Sequence, residues 1–494
     1  MLKNKFEKLV LSLTGDSTNS QLLPSEPLNK IHIFLIPLLI VVSSMLVKIT
    51  GIYYVDSDQF WSLAVGQWIA EHGAVPVVDT FSWTIEGKPW QSNSWLFCWL
   101  LYQIDYYWGM YGVAVMIAAV YYVTALFIYA MSHKLNQSRI TVWIFAVGMW
   151  SLIYLSATPR AYIFTFIFVA AILYLVRFHR DTRLIYLVPL IFLLWVNVQT
   201  SVRFGIALLM VEALVGTFFY KDKRLWSILV LSFLATLANP YGTSIWGISI
   251  LGIATPGVQY ISEWQAPNFN NTSILLRYLI PAITGVVASY GVVFSAREKN
   301  AIDRDQLMIF FWFWAMFLYA LTMARASNYM MLLWIPYFAA FAPRWLTTRF
   351  RIKPYILSGI LVLFTLSILI ILPRLPLFRA PEATVPVGAL RYLQEHPEVQ
   401  ENIFNDYIFG GFLLANDIKV FIDARESPYT REGVTADYMA LINLRATPNR
   451  IIDKYEIKNF VIRTNRPLTF FLDESPDWEL VYIDRTAVIF TKAE

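Results

Sequence analysis

Cysteine and histidine are nearly missing from this chain, which holds one cysteine, Cys98, and five histidines in 494 residues. A single thiol excludes an intrachain disulfide in any compartment, and scattered histidines without neighbouring thiols exclude a zinc-type cluster. Charge is scarce too, with Asp, Glu, Lys and Arg making up 15% of the residues. No internal period marks a repeat protein and no low-complexity tract marks a disordered one. The net charge of +5 does not indicate a nucleic-acid partner, because the basic residues lie between apolar stretches instead of gathering on one face. What is abundant is apolar: 57% hydrophobic and 16% aromatic residues, more than a soluble globule of this size carries. The chain reads as an α-helical polytopic membrane protein.

About eleven apolar segments reach spanning length, near 32–53, 110–131, 139–157, 161–177, 184–200, 203–220, 225–239, 274–295, 306–323, 328–343 and 354–373. Lysine and arginine then set the orientation. They precede the first segment (Lys3, Lys5, Lys8, Lys30) and fill every second connection after it, ending with Arg344, Arg349, Arg351 and Lys353. Those connections are cytoplasmic by the positive-inside rule. The long connection 54–109 carries Lys88 against Asp56, Asp58, Glu71, Asp79, Glu86 and Asp105, so it faces outward.

Three regions follow. Residues 1–30 form a cytoplasmic N-terminal segment whose stretch Leu2 to Leu13 is amphipathic and suits the inner leaflet. The apolar run after it lacks a small-residue cleavage site and reads as an anchor rather than a removed signal. Residues 31–376 form the transmembrane domain, with interfacial helices in the 54–109 loop around Phe60, Trp61, Trp68 and Ile69. Residues 377–494 turn soluble in pattern. Strand-like runs at Asn459 to Arg463 and Ala487 to Phe490, with helical stretches at Val387 to Glu395 and Asp437 to Leu444, read as an α/β domain on the outer side.

The chemistry-bearing residues crowd at the outer ends of the segments. Asp56 and Asp58 follow the first span, where a carboxylate is placed to take a proton from an attacking hydroxyl. Asp58 also stands where an N-cap would open the Phe60 to Ile69 helix. Arg160, Arg203, Arg277 and Arg325 break the loop charge bias at outer segment ends. A charge inside the bilayer costs about 2.5–3.5 kcal/mol at full depth on insertion scales. Two explanations stay open for the arginines: a pocket for a lipid phosphate, or pairing with Asp56, Asp58, Asp79 or Glu263 and snorkelling to headgroups. Aspartates with Glu263 are also hard oxygen ligands suited to magnesium or manganese.

The loop string Asp56-Ser-Asp58-Gln-Phe-Trp61 to Gly66, then Val75-Pro76-Val-Val-Asp79-Thr-Phe81-Ser82-Trp83, then Gly87-Lys-Pro-Trp90 to Trp95-Leu96, resembles the first outer loop of bacterial C-type (GT-C) membrane glycosyltransferases. Pro159-Arg160, Trp195-Val-Asn197, Asn239-Pro240-Tyr241-Gly242, Glu263-Trp264-Gln265, Arg325, Asn405-Asp406-Tyr407 with Gly410-Gly411, and Phe421-Ile-Asp423-Ala-Arg425 extend it. The resemblance implies a multi-span enzyme that takes a sugar from a polyprenyl-phosphate carrier at the outer face, with an acidic residue of the loop as base and Asp58 and Asp56 as the catalytic candidates. Arg325, Arg160, Arg203 and Arg277 would hold the donor phosphate, and Asp79, Trp90, Trp95, Asn197, Gln199 and Glu263 would contact substrate. The implied setting is the bacterial cytoplasmic (inner) membrane, and the acceptor a periplasmic glycan, lipid or protein such as a pilin. Ser62, Asn93-Ser94 and Gln199 stand where similar proteins tend to have histidine or glutamate, which bears on mechanism and acceptor.

An outward-facing transferase has no nucleotide sugar to draw on, so a membrane-borne activated sugar fits the layout. In Asp423-Ala-Arg425 a structural ion network competes with a functional role. Most aromatics of the loop suit an interfacial belt as well as sugar stacking. The competing class is a lipid-linked-glycan flippase or an envelope-assembly scaffold, which would carry polar residues through the bilayer midplane and related halves.

Overall fold

The computed structural model describes residues 30–50, 56–251, 262–299, 304–342, 353–371 and 385–493. The amphipathic segment expected at Leu2 to Leu13 and the basic run from Arg344 to Arg351 lie outside these residues.

Each apolar segment read from the sequence falls on a helix: α1 Lys30–Thr50, α3 Trp95–Leu135, α4 Arg139–Ser156, α5 Ile163–Phe178, α6 Leu187–Val198, α7 Val202–Tyr220, α8 Arg224–Ala235, α10 Thr272–Lys299, α11 Arg304–Thr322, α12 Ser327–Phe341 and α13 Pro354–Ile371. Six of the described helices are long and apolar enough to cross a membrane, and four further apolar helices are shorter. In lipid a helix satisfies its own backbone, so apolar runs of this kind have few alternatives. Small residues let the helices approach closely. A Cβ on Gly148 of α4 would stand 2.4 Å from Ile335 of α12. Helix α12 touches α4, α3, α10 and α11 and forms the centre of the bundle.

At the end of the bundle opposite Arg160, a buried ion network joins α5, α7 and α11. Arg177 forks onto Glu212, Trp312 donates to Glu212 at 3.0 Å, and Arg304 meets Asp222 at 3.0 Å. Breaking such a pair from one side leaves an uncompensated buried charge, so the network fixes the relative placement of these helices.

The loop expected to face outward, called the outer loop below, begins with α2, Ser57–His72. It ends in the first half of α3, which bends at Gly109, where φ is 58° and ψ is −159°. That left-handed backbone suits only glycine without strain, and it separates the lateral half of α3 from the half that runs through the bundle. A short helix α9, Ser244–Leu251, follows α8.

The C-terminal residues form a four-stranded sheet in the order β1-β2-β4-β3: β1 Ile403–Asn405, β2 Asn459–Arg463, β3 Trp478–Ile483 and β4 Ala487–Lys492. β1 and β2 are parallel, with β4 antiparallel to both β2 and β3. The parallel pair needs a crossover, supplied by α15 Tyr407–Leu414, α16 Ser427–Arg431, α17 Val434–Ile442 and α18 Pro448–Tyr455. α14, Val387–Glu395, precedes the sheet, and α19, Pro467–Glu474, lies between β2 and β3. The helix expected from Asp437 to Leu444 starts three residues earlier, after Gly433 at φ 80°.

This domain is stitched to the outer loop. Trp83 Nε1 donates to the Ile403 carbonyl at 3.1 Å, Thr84 Oγ1 to Phe421 at 2.7 Å, and Ser82 pairs with Val420 as a strand would. Helix α15 packs along α2.

Candidate active site

Asp56, not Asp58, caps α2. Its backbone is extended, at φ −119° and ψ 140°, and its Oδ1 accepts from the Asp58 N–H at 3.0 Å. The expectation of Asp58 as cap is therefore corrected by two residues. The cap must sit in extended backbone just before the first helical residue, which leaves Asp58 in the first turn with its side chain free for other contacts.

Arg160 meets both aspartates. It projects from the tight turn between α4 and α5, where Pro159 and successive hydrogen bonds, Thr158 N–H to Ser156 and Arg160 N–H to Thr158, fix the backbone. Its Nε and Nη2 each donate to Asp56 at 2.8 Å. Nη1 lies 3.1 Å from Asp58 Oδ2 and 3.1 Å from Glu263 Oε1. Glu263, in the short turn Ser262–Trp264, also faces Arg325 at 3.3 Å. The Arg325 guanidinium lies 4.8 Å from the centroid of the Tyr162 ring.

Arg203 and Arg277 stand nearby. Tyr329 is within electrostatic reach of both Arg203 and Arg325, and Tyr162 of Arg160, Arg277 and Arg325. Arg277 donates to the side-chain oxygen of Asn328, while its Nε is buried without a partner among the described residues. Among the described residues neither Arg203 nor Arg277 has a carboxylate partner. Four guanidinium groups thus face three carboxylates, and the surplus positive charge lies on the Arg203 and Arg277 side.

Asp58 is tuned by this setting. Burial pushes its carboxyl up to about 7, Arg160 and Arg325 pull it down, and Asp56 and Glu263 push it up. One of its oxygens faces Arg160. From the C-terminal domain, Tyr407 at the start of α15 lies within electrostatic reach of Asp58, Asp423 and Glu426. Glu426 holds φ at 41°, ψ at −63°.

The structure does not gather the remaining expected residues here. Asp79 has no exposed surface. Its Oδ1 accepts from Phe81 N–H at 3.1 Å and from Ser82 N–H and Oγ at 2.8 Å each, and its Oδ2 pairs with Arg425. Trp90 is buried and stacks on that same Arg425, 4.8 Å from ring centroid to guanidinium. Both hold the outer loop on the C-terminal domain, so the pairing of Asp79 with one of the four outer arginines is not what occurs. Gln199 accepts from Ser201 N–H at 2.8 Å and shapes the turn into α7. Trp95 and Asn197 bond to each other at 3.0 Å and line a separate open cavity of about 560 Å³ with Leu96, Leu193 and Pro240.

Sequence reading assigned no role to Tyr162, Tyr329, Asn328 or Glu426. Apolar helix context hides the first three, since a tyrosine on a span reads as packing until its neighbours are known. Tyr407 did appear in the Asp406-Tyr407 string, without an indication of its partner.

Asp56, Asp58 and Glu263 were expected as candidate ligands for magnesium or manganese. Both Asp56 oxygens are committed to Arg160, and among the described residues no three Asp, Glu, His or Cys side chains are grouped to hold a cation. As placed, these residues do not fit a divalent ion.

No protein-family model matches the sequence, and no curated protein matches it. Solved structures do. The archaeal oligosaccharyltransferase AglB from Archaeoglobus fulgidus, in complex with an inhibitory peptide and a dolichol-phosphate, superposes with a TM-score of 0.62 at 10% identity, over 88% of this chain and 69% of that one. The Archaeoglobus fulgidus oligosaccharyltransferase in complex with Zn and sulfate gives 0.57 at 12% identity, over 87% and 68%. ArnT from Cupriavidus metallidurans, bound to undecaprenyl phosphate, gives 0.51 at 11%, over 91% and 96%. The chain is mostly helical, with helices apolar enough to cross a membrane, and shares the fold of these solved structures.

Proposed function

We propose that the protein is a glycosyltransferase that moves a sugar from a polyprenyl-phosphate carrier to an acceptor hydroxyl or amide at the outer face of a bacterial cytoplasmic membrane. The observation that carries this reading is the buried carboxylate Asp58, which spends one oxygen on Arg160 among the described residues, set beside arginines that outnumber the carboxylates they face. Structures of the same fold with dolichol-phosphate and undecaprenyl phosphate support the class of carrier. The scarcity of basic residues in the 54–109 loop supports the outward orientation.

In the reaction, the acceptor attacks the anomeric carbon of the sugar while Asp58 takes its proton. The bond from that carbon to the phosphate oxygen breaks, and the electron pair leaves with the carrier phosphate. Arg203, Arg277 and Arg325 face the charge that develops there, at an end of the bundle where fixed donors need no reorganisation. Arg160 is already committed to carboxylates and does not serve as a phosphate ligand. Asp56 caps α2 and orients Arg160.

Purified protein in nanodiscs, supplied with polyprenyl-phosphate-linked sugars and membrane extracts, tests the reading by mass analysis of products. Sugar transfer by the wild type and none by Asp58→Asn supports it. Movement of the lipid between leaflets without transfer, unchanged in Asp58→Asn, would favour the flippase class instead.

A further inference from the structure

Three carboxylates that converge need a cation to hold them. Asp56 and Asp58 come from the start of α2, and Glu263 from a turn more than two hundred residues away, yet all three meet within 3.1 Å of one side chain. At such separations like charges repel strongly unless a cation sits between them. A divalent metal would be one solution, with oxygen ligands at about 2.0–2.2 Å for magnesium. Here the position is filled by protein. Each nitrogen of the Arg160 guanidinium is used: Nε and Nη2 on Asp56, Nη1 shared by Asp58 and Glu263. The group is permanently charged, planar and anchored in a turn that Pro159 fixes. Its charge does not balance the three carboxylates alone, which accounts for the second contact of Glu263, to Arg325.

We infer that the Arg160 guanidinium is the built-in cation of this centre, standing where a divalent metal would sit, so that the wild-type site excludes divalent ions and its removal opens a metal site. Arg160 is then a positioning residue. It touches neither donor nor acceptor and sets the placement of Asp58 relative to the phosphate-facing arginines. A metal ion and the guanidinium cannot share this space, because both need the same carboxylate oxygens.

The inference concerns occupancy of the cluster and is read without sugar transfer, so its failure leaves the proposed function standing, and the reverse also holds. The probe is Mn²⁺ alone, added to the detergent-purified full chain and followed by electron paramagnetic resonance of the free ion. The wild type is expected to take up no Mn²⁺ that depends on Asp56. Arg160→Ala is expected to take up one Mn²⁺ per chain, and the uptake is expected to vanish when Asp56→Asn or Glu263→Gln is added. Arg160→Lys keeps a cation in place and is expected to exclude Mn²⁺. Mn²⁺ uptake by the wild type that Asp56→Asn abolishes would overturn the inference. So would a monodisperse Arg160→Ala with no uptake. Should Arg160→Ala not fold, the wild-type titration decides by itself.

Discussion

Gly411 of α15 lies directly against the backbone of Ser57 at the start of α2. A Cβ at Gly411 would stand 2.7 Å from the Ser57 carbonyl oxygen and 3.1 Å from the Trp61 nitrogen. A Cβ at Gly410 beside it would stand closer still to backbone, 2.2 Å from the Ile422 carbonyl oxygen. Gly411 therefore permits a contact between the C-terminal domain and the helix that carries Asp58, while Gly410 permits close packing within the domain. That contact brings Tyr407 within reach of the carboxylate.

Gly411→Ala should push α2 away from α15. An added methyl in a packed contact with backbone on the far side costs about 1–3 kcal/mol, and the displaced element here carries the proposed base. The expected result is a lowered melting temperature with a larger relative loss in turnover than in substrate affinity. Transfer kinetics and thermal unfolding in detergent read both. A fully active Gly411→Ala of unchanged stability would mean that α15 does not position α2.

Asp58→Asn and Asp56→Asn should separate two roles that look alike in sequence. Asp58→Asn removes the proposed base and is expected to lower turnover by roughly 10²- to 10⁴-fold with little change in stability. Asp56→Asn keeps a capping oxygen but loses a charge on Arg160, so it should retain measurable transfer and unfold more easily. Turnover and melting temperature of the two purified variants give the comparison. Equal losses in both would return them to a single shared role.

Transfer should rise with pH through about 7, the value to which burial pushes Asp58. Below it the carboxyl is protonated and accepts no proton; above it the base is available. The groups facing Asp58 are Arg160, Arg325, Asp56, Glu263 and Tyr407. Removing a negative neighbour with Glu263→Gln should move the midpoint downward. Stability runs the other way: the folded state holds a proton that an unfolded Asp58 releases near 3.8, so folding loses stability between that pH and about 7. A pH–rate profile for wild type and Glu263→Gln checks both the midpoint and its direction of movement.

The helices were legible because each apolar run is long and has few other solutions in lipid. The strands Asn459–Arg463 and Ala487–Lys492 were legible for a similar reason, as short β-branched and aromatic runs between turn residues. What the sequence does not disclose is pairing across long separations. Asp79 and Arg425 are 346 positions apart, and Asp56 and Arg160 are 104 apart. The charge pattern leads one to expect all four on the same side of the membrane without indicating which carboxylate takes which arginine. Asp79 and Trp90, expected as substrate contacts, lie at the join between loop and domain, a placement that no local pattern discloses.

That join predicts its own phenotype. Arg425 is buried between Phe81 and Trp90, forks onto Asp423 at 2.7–3.0 Å, donates to Tyr429 at 2.7 Å and pairs with Asp79. Removing one partner of a buried charge network costs about 3–5 kcal/mol. Arg425→Ala should therefore loosen the C-terminal domain from the outer loop and make the domain more susceptible to limited proteolysis. Digestion of the C-terminal domain at protease levels that leave the wild type intact is the expected observation. Unchanged resistance would show that the Trp83 and Thr84 contacts suffice.

The arginines divide by whether a carboxylate already holds them. Arg203 and Arg277 have none among the described residues, and Arg325 shares Glu263 with Arg160. If these three meet the leaving phosphate, Arg203→Ala, Arg277→Ala and Arg325→Ala should each cost about 2–4 kcal/mol of transition-state stabilisation, roughly 30-fold to 1000-fold in rate. Lysine at the same positions should restore part of the loss, because the charge returns without the planar fork. Arg160→Lys should behave differently. It disturbs the carboxylates and with them Asp58, so its loss should change with pH, while the losses at the other three stay flat. Measuring rates for all four positions across the pH range, with a fixed polyprenyl-phosphate-linked donor, distinguishes phosphate contact from carboxylate positioning. A pH-independent loss at Arg160 matching that at Arg203 would place it among the phosphate ligands after all.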